Sequence, residues 1–165
     1  MAVDINNIKT QIKSILDTAN TTTGAYDRST GLKTRVRKVF KVNPLKIPIL
    51  ASYYPFVTVF MDTKDIEQTN INTTFKIAKF GADLNLSIVA GVWEPQLVDF
   101  TEDEADEQIE VLMENIEEVL RRSHTLNGAV KWARLERVQY HALSIDEETH
   151  VRYGEGSLLA RVDEY

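Results

Sequence analysis

Apolar residues recur at helical spacing near the start of the chain, at Ile5, Ile8, Ile12, Ile15 and Leu16. That period predicts an amphipathic helix over about 5–19, with Asp4 as its N-cap. The stretch 20–31 is polar and without period, so it reads as a loop. From Leu32 to Val42 β-branched residues interleave with Lys33, Arg35, Arg37, Lys38 and Lys41, the composition of a strand exposed on one side or projecting as an arm. Tyr53–Met61 is dense in aromatic and β-branched residues and predicts a buried strand that pairs with this basic neighbour. Asp62–Asn72 is polar and predicts a connection.

Thr73–Trp93 predicts a long strand or a tight hairpin. Ala82, Leu84, Leu86, Ile88, Ala90 and Val92 alternate against Asp83, Asn85 and Ser87, and Gly81 is expected to be a bulge or turn, because the apolar phase before it is odd. Thr101 and Glu104 form a capping-box pattern that opens a second helix to Ser123, with Ile109, Leu112, Met113, Ile116, Val119 and Leu120 as its buried stripe. Leu126-Asn127-Gly128 reads as a turn into a strand over 130–143, on which Trp132, Val138, Tyr140 and Ala142 should share a face. A final strand over 151–162 pairs back, its Gly154 and Gly156 marking a bulge or close packing. The order helix, strands, helix, hairpin predicts an α+β fold: a mainly antiparallel sheet, two helices packed on one face and a projecting basic β-arm.

Composition narrows this picture. The 165 residues, 43% of them hydrophobic, suit one domain spanning 1–165 with a core that needs no staples. A cysteine count of zero excludes disulfides, thiolate metal sites and a Cys nucleophile. The start of the chain has neither a basic stretch nor a continuous apolar run, and no run of about 18 apolar residues occurs, so neither a signal peptide nor a membrane role is expected. Sequons at Asn20, Asn72 and Asn85 then carry no weight.

Charge is the most informative feature. Seven basic and no acidic residues lie between Arg28 and Lys46, while ten acidic and no basic residues lie between Asp99 and Glu118. Glu110, Glu114 and Glu118 form a like-charged ladder at i,i+4 spacing, costing a few tenths of a kcal/mol per pair, which an external basic partner would relieve. The segment 28–46, with Phe40 among its cations, is also the best nucleic-acid candidate, although the sequence pI is about 5.1. No catalytic, cofactor-binding or metal set converges. His124, His141 and His150 sit in no nucleophile motif, and a register setting His141 opposite His150 would bring a metal near Asp146 or Glu147 without any diagnostic spacing. The carboxylates at 102–107 suit a helix start, and Gly154-Glu155-Gly156-Ser157 lacks the rest of a phosphate loop.

The N-terminal amphipathic helix, Tyr54-Pro55-Phe56-Val57-Thr58-Val59-Phe60, Asp83-Leu84-Asn85-Leu86-Ser87-Ile88, the acidic helix, Leu126-Asn127-Gly128 and the closing Gly154-Glu155-Gly156-Ser157-Leu158-Leu159-Ala160 together resemble the tail terminator, or tail completion, proteins of tailed bacteriophages. The likeness is a pattern of elements over nearly the whole chain. It implies a structural virion protein of the tail and neck, assembled in the host cytoplasm, without catalysis or cofactor. Such a homo-oligomeric ring, typically a hexamer, caps the tail tube protein, stops its growth and offers a surface to the head connector, while DNA passes through without specific binding. On this reading Arg35, Arg37, Lys38 and Lys41 are expected to dock on an acidic surface of a neighbouring subunit or of the tube, with the Glu110, Glu114 and Glu118 face a candidate. The alternatives are another neck component, a head-tail stopper or adaptor, and a small nucleic-acid-binding accessory protein using 28–46.

Overall fold

The computed structural model describes residues 4–18, 36–43, 51–70, 78–93, 102–144 and 150–164. The helix α1 spans Ile5–Thr18, and the Asn7 amide donates to Asp4 Oδ1 at 2.9 Å, the expected N-cap bond. Ile8, Ile12, Ile15 and Leu16 are buried. Strand β1, Lys38–Phe40, is followed by a short 3-10 turn at Ala51–Tyr53, then by β2, Phe56–Asn70, and β3, Ala78–Trp93. The helix α2 spans Glu102–Arg122, and β4, Trp132–Ser144, and β5, His150–Glu164, close the chain.

The strands form one sheet in the order β1-β2-β3-β5-β4, parallel between β1 and β2 and antiparallel elsewhere. Both helices pack on one face. Val57, Val59, Leu84, Leu86, Ile88, Leu158 and Ala160 meet the apolar stripes of α1 and α2 there in a continuous core. This is the α+β architecture expected. Gly154 and Gly156 serve close packing: a Cβ on Gly154 would overlap Met113, and one on Gly156 would stand 2.8 Å from Leu135 Cδ1.

Several local expectations change. The connection expected at Asp62–Asn72 is strand as far as Asn70, because β2 and β3 continue as a twisted ribbon whose exposed Asp62, Thr63 and Asp65 need no core beneath them. Gly81 pairs regularly with Glu67 and Asp163. It is no bulge, and its missing side chain makes room for the Arg161 guanidinium that reaches Asp83. The bulges lie instead at Met61/Thr63 and Leu135/Arg137. The second one flips the phase of β4, so Ala133 and Leu135 share the helix-side face with Val138 and Tyr140, and Trp132 lies on the other face.

The Thr101 cap, the arm residues 28–35, the stretch 73–77 and the polar loop 20–31 fall outside the described residues. The described part of the basic segment does not project. Val36 and Val39 are buried, and β1 lies against β2 as the sheet's edge.

Candidate assembly interface

Among the described residues no strand pairs beyond β1 at one edge of the sheet or beyond β4 at the other. The two edges differ in charge.

At the first edge Arg37 and Lys38 are exposed, with the Lys38 ammonium 5.9 Å from the Phe40 ring centre. Lys41 is held against α1: its Nζ donates to Thr10 Oγ1 at 2.9 Å, while Lys9 Nζ donates to the Lys41 carbonyl at 3.5 Å. Four cations therefore gather at this edge, one of them, Lys9, supplied by α1. Arg35 lies outside the described residues.

The second edge is overlooked by α2. Glu110, Glu114 and Glu117 are exposed there and stand near Tyr140 of β4. Tyr140 is 48% exposed, although its strand phase points it at the helix layer. Partial burial, then the fields of Glu110, Glu114 and Glu117, push its phenol above the ordinary tyrosine range. Two recesses follow the junction of α2 and β4. One of about 280 Å³ is lined by Glu117, Arg121, His124, Ala133, Arg134 and Leu135, and one of about 120 Å³ by Asp106, Ile109, Glu110, Tyr140, His141, Ala142 and Arg152. Arg152, nearly buried, donates to Asp106 and ties α2 to β5 across the second recess.

The expected ladder is thus only partly one surface. Glu118 accepts from Arg122 on its own helix, one turn on, and the 3.6-residue period carries it off the Tyr140 row that Glu117 joins. The basic and acidic sets are not brought together within one copy, since they belong to opposite edges of the sheet. As interface residues Tyr140, Glu117 and Lys9 escaped sequence reasoning; the signal for Tyr140 was a large aromatic within the uncharged run Val138-Gln139-Tyr140-His141-Ala142.

The histidines do not converge. His141 pairs with Tyr153 in the ladder and lies 3.7 Å from Glu155, while His150 pairs with Ser144. No group of three or more metal-ligating side chains gathers among the described residues. On the sheet's other face Asp163 accepts from Lys131 at 2.9 Å. That bond, with the Lys131 and Arg161 charges, holds its carboxyl below the usual range. An aromatic cluster of Tyr54, Phe56, Phe40, Trp93 and Tyr153 packs on this face, with the Tyr54 and Tyr153 hydroxyls 2.7 Å apart.

No protein-family model matches the chain, and no curated protein matches it. Among solved structures it is similar to a chain of the virion of a native gene transfer agent (GTA) particle, with 11% identity and a TM-score of 0.46 over 99% of this chain and 100% of that one.

Proposed function

We propose that this chain is a structural virion protein of a phage-like particle, acting as a tail terminator: a single domain over 1–165 that assembles into a ring, caps the tail tube and joins it to the head. The observation that carries the reading is that, among the described residues, one subunit has two unpaired sheet edges, with cations gathered at β1 and the α2 glutamates overlooking β4. A subunit with two different, complementary surfaces makes heterologous contacts, and these close into a ring when the rotation between copies allows it. The sequence resemblance supplies the location in the virion and the expectation of six copies, tube and connector as partners, and a role without catalysis.

The test is the native mass of the full chain across protein and salt concentration. A discrete closed oligomer that loosens as salt screens its contacts is the expected result. A strict monomer that instead binds DNA with a steep salt dependence, lost on Arg37→Glu with Lys38→Glu, would replace this reading with the nucleic-acid accessory one.

A further inference from the structure

We infer that the acceptor surface between copies is the edge of β4 from Val138 to Ala142, unpaired among the described residues, with the groove beneath α2, and that its occupant is the β1 edge of a second copy. This rests on the ring reading above and says which surfaces make the ring.

Exposed edge strands invite pairing unless they are guarded by charge, bulge or cover. In β4 the guards are confined to one half: Arg134, Glu136 and Arg137 surround the bulge. Beyond it, Val138-Gln139-Tyr140-His141-Ala142 carries no Lys, Arg, Asp or Glu and leaves Tyr140 standing half in solvent. The unguarded half is also where Glu110 of α2 lines a recess with Tyr140, His141 and Ala142, and the fields of Glu114 and Glu117 reach Tyr140 from the next turns.

The topology then fixes what can reach it. One row of the sheet runs Val39, Val57, Ala90, Gly154, Tyr140, so β1 and the unguarded half of β4 stand level at opposite ends of the same row. Seating β1 of the next copy beside Tyr140 continues this row from one copy to the next. The strand directions agree as well. β1 is parallel to β2, β2 is antiparallel to β3, and β5 and β4 each reverse again, so β4 runs opposite to β1 and the new pair is antiparallel.

Charge complements on the helix side. Lys41, two residues after Val39 and held beside α1, arrives with Lys9 at the row Glu110, Glu114 and Glu117. On the opposite face Lys38 comes level with His141, which has the Glu155 carboxylate at 3.7 Å.

The chain has no cysteine, so engineered thiols report this contact without background. Lys41→Cys combined with Tyr140→Cys, treated with a short bismaleimide, should give a ladder of covalent oligomers ending at the native ring, and neither single variant should cross-link. A native oligomer without the ladder would overturn this surface and leave the ring reading standing. A covalent dimer from Tyr140→Cys alone would overturn it too, since two β4 edges would then face one another. A monomer at every concentration would overturn both.

Because the thiol pair alters the contact itself, a second variant, Glu110→Lys with Glu114→Lys, changes only exposed helix positions. It should lower assembly at least tenfold with the far-UV circular dichroism spectrum of the subunit unchanged. Assembly equal to the parent protein would overturn the role of the groove.

Discussion

At Gly154 a hydrogen atom occupies the place where any side chain would strike Met113, and so the seating of α2 on β5 depends on it. Gly154→Ala should cost about 1–3 kcal/mol, the range for overpacking a filled core, read as a lower denaturation midpoint. Gly128→Ala is the contrast: nothing lies within 4 Å of that position, and its φ of +83° leaves only the left-handed backbone penalty of about 1 kcal/mol. Leu126, two residues earlier, already carries such a conformation, φ 47°, and is held there because its side chain is buried in the core. Tyr140 pairs across to Gly154, and its ionisation is a further residue-scale readout. Its phenol is raised by burial and by Glu110, Glu114 and Glu117, so folding opposes its ionisation. The unfolded chain gives up this proton first as pH rises. Stability from this group is thus complete below the ordinary tyrosine range and lost as pH climbs through the raised value. Replacing Glu110 and Glu114 by Gln should bring the phenol back toward the ordinary value in a tyrosinate absorbance titration, with Tyr140→Phe identifying the transition.

The helices were legible because their signals are local: the Ile8, Ile12, Leu16 stripe and the Asp4 cap of α1, and the Ile109 to Leu120 stripe of α2, lie within a few residues of what they specify. The alternation of β3 was legible for the same reason, and of the two readings of Gly154 and Gly156, bulge or close packing, the structure has close packing. What failed depends on partners distant in sequence. The second half of β2 has no apolar face to read, since cross-strand bonds to β3 hold it. The basic strand's parallel partner and the separation of its cations from the α2 glutamates follow from strand order, which no local period encodes. The β4 bulge hid the phase of Trp132, because one extra residue, Glu136, inverts the faces on either side of it. Deleting Glu136 should therefore regularise β4 with Leu135 and Val138 still on the helix side. Its cost should stay within about 1 kcal/mol, beyond the exposed Arg134–Glu136 pair, by chemical denaturation. Deleting Ser157 in unbulged β5 inverts Leu158 and Ala160 out of the core, and that variant should not fold to a cooperative transition.

Among the described residues the cations at β1 and the glutamate row of α2 lie at opposite ends of one sheet, and on the proposed ring reading they become complementary between copies. Reversing one edge, with Arg37→Glu and Lys41→Glu, sets acid against acid at every contact. Reversing the other, with Glu110→Lys and Glu114→Lys, sets base against base. Each variant alone should be monomeric by native mass spectrometry at concentrations where the parent protein is a ring. Mixed in equal amounts, each finds in the other the charge it lacks on both sides, and assembly should return with the two variants strictly alternating around the ring. Alternation closes only for an even number of subunits, so a restored ring of the parent's mass requires an even copy number, which the hexamer satisfies, whereas a parent ring with an odd number would give open chains on mixing. Added salt should weaken the parent and the mixed assembly alike, because pairs of opposite charge, native or reversed, hold every contact in both. Recovery of mass by either variant alone would remove edge charge from the mechanism of assembly.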